Sequence, residues 1–162
     1  MRRALIGSTG LALALGLGLA GCGSTTEEGL EEAIEQETGG DVEVEDDGVT
    51  FSDDEGNEVK VGSAAEVPEG WPDDIPVPEG TVLGSTTAGG TSTIIMTVEE
   101  EPQKVYNSLK GELESNGWTT ESDTAIGGLY GGAFTKDGRT ASVAVLDDGS
   151  GGAQLTLSSD AA

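Results

Sequence analysis

The 162-residue chain contains no histidine, which removes the commonest general base and the commonest transition-metal ligand together. A Ser-His-Asp or Cys-His arrangement therefore cannot be built within it, and a zinc site of histidine and cysteine is equally excluded. Cys22 is the only cysteine, so no intramolecular disulfide forms and folding must rest on apolar burial. Tryptophan, tyrosine and phenylalanine occur twice each, which implies a modest core and few flat platforms for a sugar. Two carboxylates alone would suffice for glycoside hydrolysis. Among 31 acidic residues, however, some pair falls at any chosen separation by chance. The glycine pairs Gly127-Gly128, Gly131-Gly132 and Gly151-Gly152 match neither the dinucleotide nor the P-loop spacing and read as turns and bulges. No enzyme activity and no cofactor are expected.

Basic residues are almost as scarce: seven against 31 acidic ones, for a formal charge of −24. Such a surface repels nucleic acid, whose binding requires clustered lysine and arginine.

What the chain does have begins at its first residues. Met1 to Gly21 comprises a basic start at Arg2 and Arg3, the apolar run "ALIGSTGLALALGLGLA" and small residues before Cys22, the layout of a secretory signal peptide. The dense apolar stretch, Leu11 to Ala20, is too short for a spanning helix, which needs about 20 apolar residues. "Leu19-Ala20-Gly21-Cys22" resembles the bacterial lipobox. The resemblance implies that diacylglycerol is joined to the Cys22 sulfur and that signal peptidase II, recognising Leu19, Ala20 and Gly21, cuts before it. Two or more acyl chains on Cys22, palmitate-like in length, would hold the protein on the extracytoplasmic side of the cell membrane, because one chain binds only reversibly. Without Arg2 and Arg3, five basic residues face 31 acidic ones, a formal charge of −26.

After the leader (1–21) comes a lipidated tether (22–26), then a helix start in which Ser24 and Glu27, or Thr25 and Glu28, are spaced as a capping box. Leu30, Ala33 and Ile34 share one helical face, and a stripe that small needs a surface to lie on. "DVEVEDDGVTFSDDEGNEVKVG" supplies one: Val42, Val44, Val49, Phe51, Val59 and Val61 alternate with polar residues across two turn compositions. Residues 27–62 are thus expected to form a small helix-plus-three-stranded-meander module. Residues 63–80 hold four of the five prolines and read as an extended connector. Residues 81–159 are expected to be an α+β domain, an antiparallel sheet with one packed helix. In that helix Pro102 suits the first turn, Val105, Leu109 and Leu113 form the apolar face, Tyr106 borders it and Gly117 ends it.

The succession of lipobox, acidic helix ending in "TGG", "VEVEDDGVTFSDDEG", "VPEGWPDDIPVPEG", "VYNSLKGELESNGW" and "TKDGRTASVAV" resembles secreted actinobacterial lipoproteins. That resemblance implies a location and carries no activity.

One metal site is worth weighing. Glu43, Glu45, Asp47 and Asp54 fall at positions 1, 3, 5 and 12 of a calcium-loop spacing, with Gly48 at position 6. Position 1 is normally Asp and position 12 normally Glu, and the flanks alternate as strands, so a solvated hairpin explains the same residues more simply. The leading expectation is a non-enzymatic, membrane-anchored binding or accessory module with an unknown protein or envelope partner. The alternatives are an acidic spacer without a specific ligand and a weak calcium binder. A groove lined by Trp71, Trp118 and Tyr130 would favour a binding module. Trp71, in the connector, is the candidate binding residue.

Overall fold

The computed structural model describes residues 40–160 apart from residue 46. The leader, Leu19, Ala20, Gly21, Cys22 and the helix expected before residue 40 lie outside them. Period-two alternation produces nine strands: β1 (Asp41–Glu45), β2 (Gly48–Ser52), β3 (Glu58–Gly62), β4 (Thr81–Ala88), β5 (Thr91–Val98), β6 (Thr119–Ile126), β7 (Leu129–Lys136), β8 (Arg139–Asp147) and β9 (Ala153–Asp160). They make one antiparallel sheet in the order β1-β2-β3-β4-β5-β9-β8-β7-β6. The single helix among the described residues, α1 (Pro102–Ser115), carries the chain from the centre of the sheet at β5 to the far edge at β6. Three hairpins then bring it back to β5.

The sequence explains α1 closely. Val105, Tyr106, Leu109 and Leu113 are all buried, at the three- and four-residue spacing that keeps one face toward the sheet. Gly117, at φ +89°, reverses the chain, and the Trp118 N–H returns to the Leu113 carbonyl at 3.0 Å. The helix lies over β6 to β9. Beneath it pack Ile94, Met96, Phe134, Val145, Leu155 and Leu157, none more than 1 % exposed. Burial this complete makes α1 and its half of the sheet the stable centre of the molecule.

The expected class does not survive. The α+β description is replaced by one predominantly β sheet, in which strands from the expected 27–62 module and the expected 81–159 domain pair directly. β3 pairs with β4 across the proline-rich connector, Glu58 opposite Thr87 and Val61 opposite Gly84. The connector looked like a boundary because prolines cannot continue a ladder. Instead it leaves the sheet at Gly62, seals one end of the core with Ile75, 3 % exposed, and re-enters at Thr81. A long loop costs little extra closure entropy, so a strand pair separated by it still forms when its ends are held.

The meander itself has the expected faces. Val42, Phe51 and Val59 stand in one row and Val44, Val49 and Val61 in the next, with Glu43, Thr50 and Lys60 on the opposite side. Continued through the sheet, the second row reaches Gly84 and Ile95, whereas Lys60 aligns with Ser85 and Ile94. Ile94 faces α1. The meander's valines therefore face away from α1, and the sheet changes its apolar side between β3 and β5.

Candidate functional site

The connector is clamped by its own backbone and by one carboxylate. Trp71 donates its indole N–H to the Ile75 carbonyl at 3.1 Å, which closes the "WPDDI" turn. Asp74 then takes five donors. Lys136 Nζ reaches Asp74 Oδ2 at 2.6 Å, Arg139 makes a two-pronged contact to both carboxylate oxygens, and the Asp74 carbonyl accepts from Asn116 Nδ2 and Trp118 Nε1, each at 3.1 Å. The Arg139 guanidinium lies 4.9 Å above the Trp118 ring. Arg139, burial opposing it, and Lys136 hold the Asp74 carboxyl down at about 2. The clamp ties the connector, the end of α1 and the β7–β8 hairpin to one point.

A second polar contact fixes α1 to the edge strand. Tyr106 donates to Asp123 Oδ1 at 3.0 Å, and Lys110 pairs with the same carboxylate. Burial, aided by Asp123, raises the Tyr106 hydroxyl to about 12, so it remains a donor at any ordinary pH. Its ring stacks on Tyr130 with centroids 6.3 Å apart.

These contacts consume positive charge. Among the described residues, Lys60 pairs with Glu58 and Glu66, Lys104 with Glu101, Lys110 with Asp123, and Lys136 and Arg139 with Asp74. The acids left over set the field outside the molecule. Every described carboxylate whose titration is moved is moved downward by hydrogen bonds or a cation.

A concavity of about 620 Å³ opens where the connector runs beside the end of β5 and α1. Glu79, Glu99, Glu100 and Glu112 stand exposed around it, and Val105 and Leu109 lie buried beneath. Sequence reading missed this arrangement, because four glutamates among 31 acids carry no spacing signal of their own.

The residues singled out from sequence are placed elsewhere. Trp118 is 3 % exposed and belongs to the core, Trp71 is half-buried against that core, and Tyr130 borders a smaller cavity near Pro102. Neither tryptophan lines the acidic concavity, the cavity that Tyr130 borders, or those beside Val67 and Thr140, and the three aromatics share no groove among them. The calcium spacing also comes apart. Glu43 and Glu45 belong to β1 and Asp47 to the β1–β2 turn, whereas Asp54 sits in the β2–β3 turn at the other end of β2. Five strand residues separate the turns by about 17 Å, far beyond the reach of one ion. Asp53 spends its carboxylate locally, accepting from the Glu55 and Asn57 backbone and from Asn57 Nδ2. No described helix is long and apolar enough to cross a membrane. No family model, curated protein or solved structure matches the chain.

Proposed function

We propose that the protein is a lipid-anchored extracytoplasmic module that binds or assists a partner and catalyses no reaction. The lone cysteine, set behind a basic and apolar leader at "LAGC", carries this reading. Acylation of Cys22 would keep a strongly acidic domain at the outer membrane surface, where anionic headgroups repel its body and leave it standing off the bilayer.

The acidic groove is the surface this module would offer. Its apolar floor supplies burial and its four carboxylates select positive charge, which suits a basic, partly apolar polypeptide segment over an anionic ligand. Anchoring and binding are separable. Cys22→Ser is expected to move the chain from the membrane fraction to the soluble fraction, and continued sedimentation with membranes would contradict the anchor. Crosslinking on intact membranes is expected to capture a partner through the groove, and Glu99→Lys/Glu100→Lys to abolish the capture. Recovery of the chain alone under several growth conditions would support the spacer reading instead.

A further inference from the structure

We infer that two copies of the chain pack face to face through the side of β5, β9, β8, β7 and β6 that points away from α1. This pairing is independent of Cys22 and of the acidic groove. Its first support is a lack of charge where charge is expected. Charged residues make up 23 % of the chain, and a strand face in water normally carries them. The meander obeys this rule, with Glu43, Glu58 and Lys60 on its wet side. Behind α1 the pattern fails. The row Ile95, Thr156, Ala144, Gly131 and Thr124 crosses five strands without a charge, and the rows on either side, through Thr93 and through Thr97, carry none either. Among the described residues, acids reach only the outermost row of this face, where Asp160 accepts from Thr91 and Thr140 and Glu121 accepts from Thr135. Large apolar side chains stand open inside that rim: Ile95, Leu146 and Ile126 are 39 %, 44 % and 73 % exposed.

Size and charge both suit a second copy as the occupant. Five strands about 4.8 Å apart, each rising about 3.3 Å per residue over eight residues or more, present about 600 Å² per copy. The pair would bury about 1,200 Å², the lower bound for a specific, stable interface. A two-fold axis along the strands between β9 and β8 sets Ile95 of each copy opposite the partner subunit's Gly131, so a protruding side chain meets a residue without one. Face-to-face packing also turns the acids outward. Stacked sheets lie about 10 Å apart and each α1, about 5 Å in radius, lies beyond its own sheet, so the outer layers stand more than about 20 Å apart. That exceeds the screening length of about 8 Å at physiological salt, which blunts the repulsion between two bodies of formal charge −24. A basic partner would find no acid on the inner rows to select it.

Sedimentation equilibrium of the full chain carrying Cys22→Ser is expected to show a dimer at about 150 mM salt that weakens about tenfold at about 10 mM. Ser142→Lys/Thr156→Lys lowers the net charge and so would tighten any association limited by general repulsion, but it buries unpaired ammonium groups in this face and is expected to weaken the dimer about a hundredfold. A single thiol locates the contact. Maleimide labelling of Thr156→Cys is expected to slow about tenfold as the dimer fills, while labelling of Glu112→Cys on α1 stays constant. A monomer at every concentration, or a dimer indifferent to the two lysines, overturns the proposal. So does a Thr156→Cys thiol already slow in the dilute monomer, which would mean that the chain covers this face itself.

Discussion

Replacing Trp118 with alanine is expected to cost about 4 kcal/mol of folding stability, the range for deleting a large buried aromatic. Three losses coincide there. The indole is 3 % exposed within the core, its N–H is bonded to the Asp74 carbonyl at 3.1 Å, and its ring lies under the Arg139 guanidinium. Urea unfolding checks the size of the effect, and Trp118→Phe separates its parts. Phenylalanine keeps most of the burial but leaves the Asp74 carbonyl one donor short, so a cost of about 1–2 kcal/mol is expected. A cost below about 1 kcal/mol for alanine would contradict the core assignment, since cavities of that size are rarely so cheap.

Asp74→Asn is expected to cost about 2 kcal/mol near neutral pH, because it leaves Lys136 and Arg139 without a carboxylate while both stay half-buried. The sign of the pH dependence follows from the lowered carboxyl. Unfolded, Asp74 titrates near 3.8, and folded it is held down at about 2. Its contribution is therefore complete above about pH 4 and disappears as pH falls toward 2. Acid also relieves repulsion among the other carboxylates, which acts in the opposite direction on both proteins. The measurement is accordingly the difference between native protein and Asp74→Asn in urea, followed from pH 7 to pH 2. It should be constant above pH 4 and shrink below, and a difference independent of pH would rule out the ionic clamp. Arg139 lies over the Trp118 ring and pairs with the Asp74 carboxylate, so the double substitution should cost less than the two single ones together.

How much of this could be read beforehand depends on the range of the interactions. Local signals served well. The α1 helix, its buried face and its Gly117 end follow from spacing within a dozen residues, as do the valine rows of the meander and the "DG" turns. Trp118, offered from the sequence as a groove residue, fills the core instead, as large aromatics usually do. Trp71 was not legible as a turn lock, because its bond to Ile75 depends on how the prolines fold the intervening residues. Asp74 gave no signal at all: it is one aspartate among 31 acids, distinguished only when β7 and β8 bring Lys136 and Arg139 beside it. The calcium spacing misled for the mirror-image reason. Residues close in sequence were carried to opposite ends of β2 by an extended backbone.

The composition alone excluded histidine-based catalysis by this chain's own residues and a disulfide within it, and local periodicity alone determined where strands and α1 would form, because both depend on residue types and near neighbours. Only the tertiary structure decided that the meander and the rest are one sheet, which side of it each apolar row faces, and which acids gather around the groove. Those outcomes rest on pairing between residues far apart in the chain, above all β3 with β4 and β5 with β9. The closure entropy and packing that settle such pairs leave no mark at any single position.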